Sequence, residues 1–67
     1  MSRMFHENLT FLRKAKHLSQ EELADKIGVS RQTISRYETG EALPDIEKCK
    51  CLAEVLDVTL DDLVCYD

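Results

Sequence analysis

Arg31, Gln32 and Arg36 place three planar, multi-donor side chains close together in the sequence. A guanidinium can donate two parallel hydrogen bonds to the O6 and N7 edge of guanine, and a carboxamide can form an equivalent pair with N6 and N7 of adenine. Such groups discriminate between bases only if a rigid element delivers them into the major groove together. The question is therefore what holds Arg31, Gln32 and Arg36 on one exposed face.

The surrounding pattern predicts a helix. Ser30 is a suitable N-cap, and Ile34 with Tyr37, joined by Thr33 as a further candidate, forms an inward stripe. Arg31, Gln32, Ser35 and Arg36 then face outward. Arg31 and Gln32 fall in the first turn, where a recognition helix meets base edges, and Arg36 lies about one turn further along. The N-terminus of such a helix also attracts phosphate.

A second helix precedes it. Ser19 and Glu22 have the spacing of a capping box, and Leu23, Ala24 and Ile27 share one face. Gly28 suits the left-handed conformation that ends a helix. Only Val29 and Ser30 separate Gly28 from the next helix, so the two must cross steeply, as in a helix-turn-helix. Ala24 suits that crossing because its small side chain lets the backbones approach.

The rest of the chain supplies the support. From about Met4 to Lys16, Phe5, Leu9, Leu12 and Ala15 or Lys16 recur at helical spacing, with Arg13, Lys14 and Lys16 near the end where cations suit the helix dipole. Phe11 falls off that stripe and is expected at the edge of the core. His17 lies where a positive φ would serve, and Leu18 can pack on Leu23 as a hydrophobic staple. After Tyr37, Gly40 and Pro44 mark a loop that Leu43 is expected to anchor. A fourth helix starts at Asp45, with Ile46, Cys49, Leu52, Ala53 and Leu56 inward and Glu47, Lys48, Lys50, Cys51 and Glu54 outward. Thr59 caps a short last helix containing Leu60, Leu63 and Val64. The fold class expected is all-α: one compact five-helix domain over residues 1–67, with the helix-turn-helix at helices 2 and 3.

Bulk properties narrow the function. A chain of 67 residues has room for one core and little room for a substrate cavity. His6 and His17 have no evident nucleophile or orienting partner, so no catalytic constellation is read and no enzyme is expected. Cys49, Cys51 and Cys65 are too few and too ill-spaced for a structural zinc site, and their odd number argues against a disulfide framework. Neither a metal nor a cofactor is expected. No apolar run approaches a membrane span and no signal peptide is evident, which predicts a cytoplasmic protein.

The net charge of −4 is unusual for a nucleic-acid binder. Its distribution answers part of that objection. Residues 1–40 hold seven Lys and Arg against five Asp and Glu, a balance of +2, whereas residues 41–67 hold two against eight, a balance of −6. A mildly basic face and a strongly acidic one are expected to coexist, with non-specific binding weakened.

The stretch LRKAKHLSQEELADKIGVSRQTISRYETGEALPD, within a similarity covering about residues 9–64, resembles the lambdoid phage repressor and Cro type of helix-turn-helix domain, often called XRE-type. The resemblance implies a transcriptional regulator that binds a pseudo-palindromic operator in double-stranded DNA as a homodimer, with helix 3 in the major groove. It implies Arg31, Gln32, Thr33 and Arg36 as base readers and Gln20 and Ser30 as phosphate contacts. It also implies a structural ion pair between Arg13 and Glu38. His17 stands where the family usually has glycine, Thr39-Gly40-Glu41 is an acidic version of a loop that is often basic, and Cys51 stands where a polar surface residue is common.

Two other readings compete. The acidic C-terminal half permits a protein-interaction module, antitoxin-like or a regulatory partner, that binds a basic protein. Cys51 or Cys65 permits a redox-responsive regulator, although neighbouring acids oppose a thiolate at either. Phe11, Leu60, Val64 and Tyr66 are candidates for the dimer contact.

Overall fold

The computed structural model describes residues 4–64 and contains α1 (Phe5–Ala15), α2 (Gln20–Ile27), α3 (Arg31–Thr39), α4 (Ile46–Leu56) and α5 (Leu60–Val64). The all-α, five-helix expectation agrees with this order. No strand occurs among the described residues.

Local chemistry sets the helix ends. At α2 the Glu22 N–H donates to Ser19 Oγ at 3.0 Å and the Ser19 N–H donates to Glu22 Oε1 at 2.9 Å, closing the capping box. The Ser19 backbone N–H first, and then the Ser19 hydroxyl, hold the Glu22 carboxyl below its ordinary range. Ser30 caps α3 through the Thr33 N–H at 3.1 Å, Asp45 caps α4 through Lys48, and Thr59 caps α5 through Asp62. Gly28 at φ 75° ends α2, and its N–H donates to the Ala24 carbonyl. His17 takes φ 58° between α1 and α2, and Asp57 takes φ 59° after α4.

Leu9, Leu23, Ile34, Leu52, Leu56 and Leu63 are fully buried and unite all five helices in one core. Burial of each such side chain stabilises the fold by about 1.5–3 kcal/mol. Ala24, also buried, lies where α2 packs on α3. Leu18 is half-buried against the core, whereas Phe11 is exposed. Asn8 is a buried polar residue, 2% exposed, and its Nδ2 donates to the Leu63 carbonyl at 3.1 Å, tying α1 to α5.

Several packing expectations need correction. Leu43 is 79% exposed and Ile46 61% exposed, so neither anchors the α3–α4 connection. Ala42 packs on the core instead. Ile46 has the right azimuth for burial but is the first residue of α4, so it projects past the edge of the core. The same end effect leaves both Ala15 and Lys16 exposed at the close of α1. Cys49 is half-buried, with its thiol directed at the Pro44 carbonyl at 3.8 Å, and Lys48 is half-buried.

Candidate nucleic-acid interface

The short connection after Gly28 packs α3 directly against α2, and two hydrogen bonds fix the end of α2 from which it departs. The Val29 N–H donates to the Ala24 carbonyl at 3.0 Å, and Lys48 Nζ reaches the Ile27 carbonyl at 3.4 Å from α4. A cation at the C-terminal end of α2 also meets that helix's negative dipole end. The pair therefore has support from a third helix.

Helix α3 divides cleanly by environment. Ile34 and Tyr37 are buried, Arg31, Gln32 and Arg36 are exposed, and Thr33 and Ser35 are intermediate. Burial, aided by Asp45 and then Cys49, raises the Tyr37 phenol above its ordinary value, so the ring stays neutral at physiological pH. The exposed three share a surface with no core duty.

At the start of α3, Ser30 Oγ and Thr33 Oγ1 lie 2.9 Å apart. Ser30 Oγ already accepts from the Thr33 N–H. Both hydroxyls thus belong to the cap as well as to the surface.

Beneath the interface lies a polar network. Arg13 Nε donates to Glu38 Oε2 at 2.6 Å and Nη2 to Oε1 at 3.2 Å, while Nη1 donates to the Leu18 carbonyl at 2.7 Å. The Arg13 and Glu38 side chains are only 12% and 6% exposed. Gln20 Nε2 adds a third bond to the same carboxylate, at 3.0 Å from Oε1. The network joins α1, the start of α2 and the end of α3. Gln20 and Glu38 are 18 residues apart on different helices, so no spacing rule exposes their bond.

Among the described residues the cysteines are Cys49 and Cys51. Burial raises the Cys49 thiol above its ordinary value, and Cys51 is exposed. No group of three His, Cys, Asp or Glu side chains is placed to hold a metal among the described residues. Cys65 and Tyr66 lie outside the described residues. No described helix is long and apolar enough to cross a membrane.

A packed pair of helices joined by a short turn, capped by Ser19 and Ser30 and presenting a polar outer face on the second, defines a helix-turn-helix domain. The chain belongs to the XRE-type helix-turn-helix family, whose Helix-turn-helix model matches residues 10–63. It is 43% identical over 60 residues to the transcriptional activator BcrR of Enterococcus faecalis, covering 90% of this chain and 29% of that protein. It is 37% identical over 59 residues to the regulator MJ0272 of Methanocaldococcus jannaschii, covering 88% of this chain and 89% of that one. The fold matches the P22 c2 repressor in complex with a synthetic operator at a TM-score of 0.88, with 29% identity and coverage of 92% and 94%. It matches SinR in complex with DNA at 0.83, with 33% identity and coverage of 90% and 97%. The chain spans 29% and 53% of the lengths of BcrR and of YqaE from Bacillus subtilis. It is a helix-turn-helix domain of the kind that transcriptional regulators carry.

Proposed function

We propose that the domain binds a pseudo-palindromic operator as a homodimer, with α3 in the major groove of each half-site and the protein acting in the cytoplasm. The observation that carries this reading is the exposed set Arg31, Gln32 and Arg36 on a helix whose other side is locked into the core. Arg31 and Gln32 read base edges from the first turn, and Arg36 reads one turn further on. Gln20 and Ser30 fix the domain on phosphates.

The 2.9 Å hydroxyl pair constrains the supporting contacts. Ser30 can donate to a phosphate only if Thr33 is the donor within the pair. Thr33 Oγ1 is then left to accept, which suits an amino group of adenine or cytosine.

Dimension supports pairing. The molecule's longest extent is 30 Å, whereas half-sites of this motif lie about 34–36 Å apart, so one copy covers one half-site. Val64 is exposed at the surface for a second copy.

Alanine variants of Arg31 and Gln32 test base reading. Each is expected to lose about 1–3 kcal/mol on the cognate duplex and to relax discrimination at one base position. Unchanged affinity in both variants, with loss of a protein complex instead, would move the function to the acidic interaction module.

A further inference from the structure

We propose that Glu38 is a positioning residue for DNA binding: it orients the Gln20 amide so that one N–H is left for a backbone phosphate. The inference rests on the reading of Gln20 as a phosphate contact. Its physical basis is the shared carboxylate of the Arg13–Glu38–Gln20 network.

A carboxylate accepts hydrogen bonds and donates none, so the nitrogen end of the Gln20 amide must face Glu38. The 3.0 Å bond from Nε2 to Oε1 uses one of the two amide hydrogens. The other leaves the nitrogen in a different direction, and Gln20 is only partly buried. A phosphate also only accepts, so this remaining N–H is the group that can bind it. Without Glu38 the amide can rotate and present its oxygen to the phosphate.

Glu38 is itself immobilised. Its side chain is 6% exposed and takes two bonds from Arg13, whose third donor is fixed to the Leu18 carbonyl. Arg13 also compensates the carboxylate charge, which alone would repel a nearby phosphate. The pair thus orients a neutral donor without adding net charge at the surface.

This role and a merely structural one predict different effects on binding. Replacing Arg13 and Glu38 together by Met and Leu removes the carboxylate without changing net charge, and apolar replacement of a buried pair is often tolerated by the fold. Binding to the selected duplex would be measured at several salt concentrations for the wild type, Gln20→Ala, the paired variant, the triple variant and Glu38→Gln. Circular dichroism would establish that each is folded.

Gln20→Ala is expected to weaken binding roughly tenfold, the scale of one hydrogen bond to a charged group. The paired variant should lose a similar factor, and adding Gln20→Ala to it should cost less than about twofold because the contact is already lost. Neither should change the salt slope, since a neutral amide releases no counterion. Glu38→Gln should also weaken binding, although removing a negative charge near DNA would by itself strengthen it. If the paired variant fails to fold, Glu38→Gln alone supplies the comparison.

Wild-type affinity in the folded paired variant, or tighter binding by Glu38→Gln, would overturn the inference. So would a full tenfold cost of Gln20→Ala in the paired background. If Gln20→Ala costs nothing while Arg31→Ala weakens binding, the inference fails and base reading by α3 stands. If Arg31→Ala and Gln32→Ala cost nothing either, the reading beneath it fails too.

Discussion

At the scale of single residues, the chain separates side chains that hold geometry from those free to meet a ligand. Arg31, Gln32 and Arg36 were legible as an exposed set because a helix with Ile34 and Tyr37 inward leaves them outside. Asn8 was not legible. On a helical wheel it is a polar neighbour of Leu9, and only the tertiary fold brings the Leu63 carbonyl within 3.1 Å. That bond satisfies the buried Leu63 carbonyl, in the last described turn of α5, from a different helix. Asn8→Ala should therefore destabilise the domain by about 1–3 kcal/mol, because it leaves a buried acceptor unpaired. Urea unfolding would measure this, and an unchanged midpoint would show that water replaces the amide without cost.

At the scale of elements, five helices and four of their N-caps were readable because Ser19, Ser30, Asp45 and Thr59 each precede an apolar stripe. The wheel supplies azimuth, however, and says nothing of how far along the axis the core extends. Ile46, Ala15 and Lys16 fall beyond that extent, and Leu43 lies in a loop to which no wheel applies. The α1–α2 link offers a sharper case. His17 takes φ 58°, a conformation that costs a residue with a Cβ about 1–2 kcal/mol. Glycine relieves that cost but gains freedom in the unfolded chain worth about 0.4–1 kcal/mol. His17→Gly should thus stabilise the domain by up to about 1 kcal/mol, a rise of several degrees in Tm for a domain of this size. A lower Tm would mean that the imidazole makes a contribution larger than the relief of its backbone.

At the scale of the whole molecule, fold and charge act in different directions. The single core and the α2–α3 packing were legible because a chain of 67 residues must commit nearly all its apolar side chains to one interior. The network joining Arg13, Gln20 and Glu38 was only partly legible, since it depends on how three helices meet. The net charge of −4, concentrated after residue 40, leaves little basic surface for generic attraction to DNA. In the proposed binding mode, sequence-specific contacts from α3, doubled by two-fold symmetry, supply an unusually large share of binding. Selection of bound sites from random duplexes tests that claim most directly. The account predicts two inverted half-sites whose centres lie about 10–10.5 base pairs apart, each with at least one strongly preferred guanine or adenine. Recovery of duplexes with no enriched sequence, or of none above background, would contradict it.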